Sequence, residues 1–212
     1  MLHYLTIPVT LFQQNCSIVW CDQTLEAAVV DPGGDLPRIR AEVARLGVTL
    51  KQILLTHAHI DHAGGTGTLA RERGLPIVGP HPGDQFWIDA LAAQSQQFGF
   101  PPAEPFTPTR WLADGDQVTV GECTLDVRHC PGHTPGHVDF HSLQAQRAFV
   151  GDVLFAGSIG RTDFPGGDFD TLIASITQRL WPMGDDTVFI PGHGPESTLG
   201  RERETNPYVR GT

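Results

Sequence analysis

The stretch LLTHAHIDHAGG, residues 54–65, places three histidines and one aspartate within six residues, directly after an apolar run. Ordinary core patterning gives no reason for such a cluster, because imidazole and carboxylate groups are costly to bury unless they are paired or bind a metal. A chain with this stretch must fold so that other ligands reach the same place. The cluster therefore predicts a metal site at the end of a strand.

Metal-binding residue types also follow three other predicted strands. LDVRHCPG leads to His133, RAFVG leads to Asp152, and TVFIPG leads to His193. Loops just past strand ends suit ligands, because the sheet fixes their position while the backbone is free to turn. Seven candidate metal ligands are therefore expected to converge: His57, His59, Asp61, His62, His133, Asp152 and His193.

The spacing inside the first cluster indicates two ions. In an extended backbone, residues two apart share a face, so His57 and His59 can bind one ion together. Asp61 has the same parity but lies further along, and His62 faces the other way. This arrangement is typical of a second ion beside the first.

Each ion still needs ligands from elsewhere in the chain. His133 and His193 are the natural candidates, and Asp152 can bridge both ions because a carboxylate has two oxygens. Imidazole and carboxylate ligands without thiolate favour zinc, with iron or manganese as alternatives. We expect two zinc ions per chain.

Composition and charge restrict the partners. The 212 residues are 40% hydrophobic and 18% charged, which predicts one globular domain over residues 1–212. A net charge of −10 without a Lys/Arg cluster argues against nucleic acid and anionic membranes, so we expect a small-molecule substrate. The chain shows neither a membrane-length apolar stretch nor a signal peptide, which predicts a cytoplasmic location. The four cysteines form no C-x-x-C pair and are predicted to be buried structural thiols.

Helices follow strands in both halves, which predicts α/β layers with a mixed sheet. Asp35 is expected to cap the first helix, and Asp168 or Asp170 to start the last. The proline-rich segment 98–110 is read as an ordered loop, either a surface connection or a lid over the site. The predicted helices span residues 35–46, 64–73, 83–97 and 169–180.

Asp31 and the histidines outside the seven candidate ligands are predicted to support the site or to lie at the surface. Asp31, which ends a strand before Pro-Gly-Gly, is predicted to support the site instead of binding metal. His137 is a candidate support behind His133. The remaining histidines lack partners at ligand spacing and are predicted to be surface residues or supports: His3, His81, His129 and His141.

Four motifs together carry a family resemblance: THAHIDH, GHTPGH, VGD and IPGHG. They resemble the metallo-β-lactamase fold, over essentially residues 4–209. The resemblance implies a four-layer αβ/βα sandwich. It also implies one metal held by His57, His59 and His133, a second held by Asp61, His62 and His193, and Asp152 as the bridge.

A closer resemblance lies in FQQNCSIVW, VVDPGGD, GSIGRTDFPGGD and IPGHGPESTLGRERETNP. These stretches are similar to the short type II glyoxalases, the hydroxyacylglutathione hydrolases. The implied activity is hydrolysis of a lactoylglutathione-type thioester by hydroxide held between two metal ions. Asp61 is the expected catalytic residue that orients this hydroxide, and Arg161 is the expected substrate-binding cation. Arg161 has an alternative interpretation, a salt bridge with Asp163.

Three rival functions are considered. Persulfide dioxygenases share the fold and a GRTDF stretch like residues 160–164, but their pattern usually places a tyrosine where this chain has Pro195. Such an enzyme would use a single iron. A nuclease of the same fold is disfavoured by the negative charge. A binding module without activity does not need seven converging ligands.

Overall fold

The computed structural model describes residues 1–211. Its first sheet has five strands in the order β1-β2-β3-β4-β5. The first three strands pair antiparallel, whereas β3, β4 and β5 run parallel. These strands are β1 (Leu2–Val9), β2 (Gln14–Cys21), β3 (Glu26–Val30), β4 (Thr49–Leu54) and β5 (Ile77–Val78).

The second sheet has six strands in the order β13-β12-β9-β8-β7-β6. Only β9 and β12 pair in parallel, so this sheet is mixed as predicted. Its strands are β6 (Gln117–Val120), β7 (Cys123–His129), β8 (Val138–Ser142), β9 (Arg147–Gly151), β12 (Val188–Pro191) and β13 (Ser197–Thr198). A separate hairpin joins β10 (Leu154–Phe155) and β11 (Ser158–Ile159).

The helices cover the outer faces of the sheets. The α-helices are α1 (Leu36–Leu46), α2 (Ile60–Ala63), α3 (Thr66–Arg73), α4 (Gln85–Asp89), α5 (Leu91–Phe98), α6 (Phe169–Ser175) and α7 (Leu199–Thr205). Short 3-10 turns span Pro82–Asp84 and Trp181–Met183, and a π-helical turn at Ile176–Leu180 continues α6.

Alternating side chains explain the layers, because successive residues of a strand point to opposite faces of its sheet. In β2, Ile18 belongs to the cluster shared with α1, α3 and α5, and Val19 belongs to the cluster between the two sheets. Phe140 of β8 enters that central cluster from the second sheet. Leu172 of α6 packs in a third cluster on the outer side of that sheet. The four-layer αβ/βα sandwich is therefore confirmed.

The predicted helices are present with two corrections, one at Asp35 and one in the segment 83–97. Asp35 sits at the N-cap position of α1 in a left-handed conformation, but its carboxylate accepts from the Thr10 amide at 2.8 Å, so the predicted side-chain cap is wrong. Asp168 caps α6 by accepting from the Thr171 amide, which excludes Asp170 as the start. The predicted helix 83–97 is divided into a 3-10 turn, α4 and α5. The segment after Gly99 is a loop as predicted.

Within residues 1–211, no helix is both long enough and apolar enough to cross a membrane. All four cysteines are buried free thiols, as the sequence predicted. The single domain over residues 1–212 stays a prediction, and Thr212 lies outside the described residues.

Candidate metal centre

The site begins where β3 and β4 end side by side. Asp31 directly follows β3, is 2% exposed and adopts a left-handed backbone conformation with φ 51°. Its Oδ1 accepts from the Thr56 amide at 2.8 Å, and its Oδ2 accepts from the Thr56 hydroxyl at 2.5 Å. The same Oδ2 lies 2.9 Å from Nδ1 of His62. Asp31 therefore ties the loop after β4 to the end of β3.

The histidine cluster changes conformation halfway along. His59 is extended, with φ −68° and ψ 152°, and it sits at the N-cap position of α2. Asp61 and His62 lie inside α2, so the extended geometry assumed for them from the sequence is wrong. The helical turn directs Asp61 and His62 toward a second, neighbouring group of ligand atoms, while the ring of His62 still packs on His57 with centroids 4.0 Å apart. Two ligand groups arise because the backbone changes from strand to helix between them.

A close backbone contact fixes this helix. A Cβ built on Gly33 would lie 1.4 Å from the carbonyl oxygen of Asp61. Only glycine leaves room for the loop after Asp31 to pack against α2. The Pro-Gly-Gly stretch therefore sets the position of the second half of the cluster.

The structure brings six of the seven predicted ligands together in two groups, and Asp152 lies between them. In the first group, ligand atoms of His57, His59 and His133 lie within 4.8 Å of one another. Nε2 of His133 is 3.0 Å from Nδ1 of His59. Nδ1 of His133 lies 2.8 Å from the carbonyl oxygen of Arg161, to which it donates. Because the ring proton of His133 is on Nδ1, its Nε2 carries a lone pair, and this lone pair faces the other two histidines.

The second group consists of Asp61, His62 and His193, with ligand atoms within the same 4.8 Å limit. Oδ2 of Asp61 lies 3.1 Å from Nε2 of His193. Nδ1 of His193 lies 3.1 Å from the carbonyl oxygen of Phe12 and donates to it, so Nε2 is the ring nitrogen that faces Asp61 and can bind an ion. Asn15 fixes the turn that carries His193, because its amide donates to the carbonyls on both sides of it at 3.0 and 2.9 Å.

Asp152 lies between the two groups. Its Oδ2 is 3.5 Å from Nε2 of His133 in the first group and 3.7 Å from Nε2 of His193 in the second. Its Oδ1 is 3.3 Å from Nε2 of His62. A Cβ on Gly192 would lie 2.0 Å from this Oδ1, so the glycine leaves the space that the carboxylate occupies. The position is the one that a bridging carboxylate requires.

Unpaired buried atoms show that the residues fit metal ions. Nε2 of His57 is buried without a hydrogen-bond partner, and Nε2 of His62 and Oδ1 of Asp152 lie 3.3 Å apart but do not form a well-aligned hydrogen bond. Such orphaned polar atoms are rare in folded proteins unless an ion or a water completes them. A donor set of imidazole nitrogen and carboxylate oxygen without thiolate suits divalent ions such as zinc, manganese or iron. The part of the chain described here can therefore hold two such ions.

The electrostatics suit a site for cations. Burial and the neighbouring histidines hold the pKa values of His57 and His59 well below their ordinary range, and burial lowers the pKa of His133. Burial also acts to lower the pKa of His62, but the carboxylates of Asp152, Asp61 and Asp31 together outweigh burial and raise this pKa. Burial acts to raise the pKa of Asp152, but the facing histidines, His62 first, hold it below its usual range. The ionised carboxylate of Asp152 beside the neutral imidazoles of His57, His59 and His133 is ready to bind a cation, and His62 would release its proton when an ion binds.

Asp31, His57 and His62 form a third set of atoms close enough for an ion. Both oxygens of Asp31 already accept from Thr56, and one of them also lies beside His62. These contacts agree with the supporting role predicted for Asp31. The same hydrogen bond fixes the tautomer of His62, so that its Nε2 faces the second group.

Asp84 is a supporting residue that the sequence analysis missed. Its Oδ2 accepts from the Ala58 amide at 2.9 Å and from the Thr134 hydroxyl at 3.0 Å. Its Oδ1 accepts from the Gly136 amide at 2.6 Å. One buried carboxyl thus joins the loop of His57 and His59 to the loop of His133. Gln94 holds the first loop from the other side, because its Oε1 accepts from the Ile60 amide at 3.0 Å.

His137 supports the site from behind. Its ring stacks on His57 at 4.8 Å between centroids, and its Nε2 accepts from the Asp152 amide at 3.1 Å. Because a backbone N–H group can only donate, Nε2 of His137 is the acceptor and the ring proton of the neutral imidazole is on Nδ1. This Nδ1 lies 3.2 Å from Oδ1 of Asp139. The supporting role proposed for His137 from the sequence agrees with these contacts.

The other histidines lie away from the two groups. His3 is exposed, and His81 stacks on His129 with ring centroids 4.0 Å apart. His141 is 4% exposed, so its interpretation as a surface residue is wrong. It lies on β8, where all five residues are buried under neighbouring elements.

Arg161 lines the cavity beside the site. The sequence predicts for it either substrate binding or a salt bridge with Asp163. Its Nε and Nη2 donate to the two carboxylate oxygens of Asp163, each at 2.6 Å. Its guanidinium carbon lies 4.1 Å from the ring centroid of Phe164. The predicted salt bridge is therefore present, and the substrate-binding role of Arg161 stays a prediction.

A cavity of about 640 Å³ opens onto both groups. Its floor contains His59, Asp61, His133, Asp152 and His193. Its walls are mostly apolar and are formed by Phe12, Trp87, Phe98, Phe155, Ile159, Phe164 and Pro165.

A four-layer sandwich with paired His/Asp groups at the strand ends defines a class of metal-dependent α/β proteins. The family model of the metallo-beta-lactamase superfamily matches residues 9–193. The chain belongs to this superfamily.

Two relatives and two solved structures show the range of the similarity. Hydroxyacylglutathione hydrolase GloC of Haemophilus influenzae is 45% identical over 204 residues, 96% of each chain. The human mitochondrial persulfide dioxygenase ETHE1 is 32% identical over 192 residues, 88% of this chain and 68% of that protein. The structure of BLEG-1, a B3 metallo-beta-lactamase, has a TM-score of 0.90 and 36% identity, covering 99% of this chain and 100% of that one. TTHA1623 in a di-iron-bound form has a TM-score of 0.88 and 35% identity, covering 97% and 100%.

Proposed function

We propose that this protein is a metal-dependent hydrolase that cleaves glutathione thioesters of the lactoylglutathione type. The observation that carries the proposal is the complete second group of Asp61, His62 and His193 beside the first, with Asp152 between them. The similarity to a hydroxyacylglutathione hydrolase over 96% of both chains supports the choice of substrate. A cytoplasmic location and two zinc ions per chain are part of the proposal.

The seven predicted ligands have separate roles in this proposal. His57, His59 and His133 would hold one ion, Asp61, His62 and His193 would hold the other, and Asp152, which faces both groups, would serve both. When bound, divalent ions of this kind lower the pKa of water toward about 7, which makes hydroxide available at neutral pH. Zinc is the expected metal, with iron or manganese as alternatives.

The protein's own residues position the reacting groups. Asp61 lies at the cavity floor and is 7% exposed, so its free oxygen can accept a hydrogen bond from the attacking water and orient it. The apolar walls exclude bulk water from the thioester carbonyl. The leaving thiolate needs no dedicated acid, because the pKa of an ordinary thiol is about 8.5.

The direct test is thiol release from lactoylglutathione by the purified protein. We expect turnover with bound zinc, loss of turnover after chelation, and recovery when zinc is restored. Absence of thiol release from the zinc-loaded protein would contradict the proposal.

A persulfide dioxygenase is the second candidate, because the chain is 32% identical to an enzyme with that name. A single iron needs no second ligand group. Nε2 of His193, only 3.1 Å from Oδ2 of Asp61, favours a second ion and therefore the hydrolase. Oxygen uptake with glutathione persulfide, measured on the same preparation, separates the two candidates.

A further inference from the structure

The cavity walls are unusual for a site that must bind glutathione, which has two carboxylates and one ammonium group. In the described part of the chain, the only Lys or Arg side chain that lines the cavity is Arg161. Both carboxylate oxygens of Asp163 already accept from its guanidinium. Carboxylates that lose water without gaining a cation carry a large desolvation penalty. The charged part of glutathione is therefore better placed outside the cavity, in solvent.

Aromatic side chains surround the remaining space on two sides. On the side of the first group, Trp87 packs edge-to-face on His59 with centroids 4.5 Å apart, and Phe164 lies 5.1 Å from the same ring. On the side of the second group, Phe12, whose carbonyl oxygen lies 3.1 Å from Nδ1 of His193, contacts Phe98 with ring centroids 6.1 Å apart. Walls of this kind bind flat or bulky apolar groups through buried area and ring contacts.

Phe12 is notable because it is exposed as well as aromatic. It lies in the turn between β1 and β2, and 45% of its surface is accessible. Leu11 in the same turn is 82% exposed and does not line the cavity. An apolar ring that lines a cavity and remains accessible can gain contact area when a ligand covers it.

From the aromatic walls and the paired Arg161, we infer that the site selects thioesters by a bulky apolar acyl group and not by the charges of the thiol. This inference rests on the proposed function and specifies its substrate class. The acyl group lies between the aromatic walls, and the thiol part extends to solvent. An uncharged thiol therefore serves as well as glutathione.

The test compares four thioesters: lactoyl and phenylacetyl groups, each on glutathione and on N-acetylcysteamine, an uncharged thiol. Thiol release gives kcat/KM, and each value is divided by the uncatalysed hydrolysis rate of that thioester. We expect the phenylacetyl group to be preferred about tenfold or more on both thiols, because apolar pockets discriminate on this scale. Exchange of the thiol should change the value by less than about tenfold.

Two variants show whether the aromatic wall is responsible. Phe12→Ala should raise KM for the phenylacetyl thioesters about tenfold more than KM for the lactoyl thioesters, so that the preference for the phenylacetyl group is lost. Leu11→Ala, the control from the same turn, should change neither. Because both side chains are exposed, both variants should fold.

The outcomes separate the inference from the proposed function. A preference for lactoylglutathione, or a loss of about a hundredfold when N-acetylcysteamine replaces glutathione, would overturn the inference and leave the hydrolase standing. Equal effects of Phe12→Ala on both acyl groups would also overturn it. No thiol release from any of the four thioesters would overturn the proposed function and the inference together.

Discussion

At the scale of single residues, the candidate site depends on side chains that each serve two partners. Asp152 lies within 3.7 Å of histidines from both ligand groups. Asp31 contacts Thr56 and His62 with one carboxylate. Substitution of a residue that contacts two partners should therefore affect both of them.

Asp152→Ala should lower the metal content at both positions, because one carboxylate faces both groups. We expect about two zinc ions per chain in the unchanged protein and fewer than about one in the variant after dialysis against buffered zinc. Asp89→Ala, which removes an exposed carboxylate elsewhere, is the control. A variant without Asp152 that keeps full metal content and full turnover would contradict the two-ion interpretation.

Asp31→Asn should weaken metal binding less than His57→Ala does. The asparagine keeps one acceptor oxygen for the Thr56 amide but loses the charge beside His62, and changes to groups behind a ligand typically cost about 10-fold to 100-fold in affinity. His57→Ala removes a predicted ligand outright. Zinc affinities of the two variants, measured by competition with a chelator, give the comparison, and an equal loss in both would make Asp31 a ligand.

At the scale of structural elements, a buried carboxyl group connects two of the loops that carry candidate ligands. Asp84 in the 3-10 turn at Pro82–Asp84 accepts from the loop after β4 and from the loop after β7. Burial raises the pKa of Asp84 to about 7, and its three donors offset only part of that effect. The junction between two ligand loops therefore depends on the protonation of one group.

The free energy of unfolding of the metal-free protein should depend on pH through the titration of Asp84. Its folded pKa of about 7 lies above the unfolded value of about 3.9, so the folded state binds the additional proton. The resulting stabilisation is complete below the unfolded pKa and is lost as the pH rises through about 7. We expect the free energy of unfolding, relative to Asp84→Asn, to fall by about 3 kcal/mol between pH 5 and pH 8. Urea denaturation of both proteins at each pH measures this, and a difference independent of pH would contradict it.

The sequence predicted the layers and the convergence of the candidate ligands, but it did not identify every residue that supports them. Alternating and helical apolar patterns report which face of each element is buried, and ligands placed after strands follow from the sheet. Asp84 was not identifiable, because its partners Ala58 and Thr134 are 26 and 50 residues away and lie near it only after folding. The orientation of Asp61 and His62 was misjudged because the six-residue cluster contains both an extended segment and the first turn of α2. Burial of His141 depends on neighbouring strands that a local pattern does not show.

At the scale of the whole molecule, the sandwich places a site for cations in a protein with a net charge of −10. The strand ends of both sheets contribute to it, since β4 leads to His57 from one sheet and β12 leads to His193 from the other. The fold is shared with proteins of different activities, so the activity must follow from the site. The second ligand group is the feature that separates the two candidate functions.

The effect of His193→Ala on thioester hydrolysis tests the role of the second ligand group most directly. The variant removes a second-group ligand and leaves His57, His59 and His133 intact, and His3→Ala, an exposed histidine, is the control. We predict that His193→Ala lowers thiol release from lactoylglutathione by on the order of a hundredfold, a loss of about 2.7 kcal/mol of transition-state stabilisation, while the control is unaffected. We also predict no oxygen uptake by the unchanged protein with glutathione persulfide. Oxygen uptake that survives His193→Ala, with negligible thiol release, would contradict the hydrolase and leave the fold and the first ligand group in place.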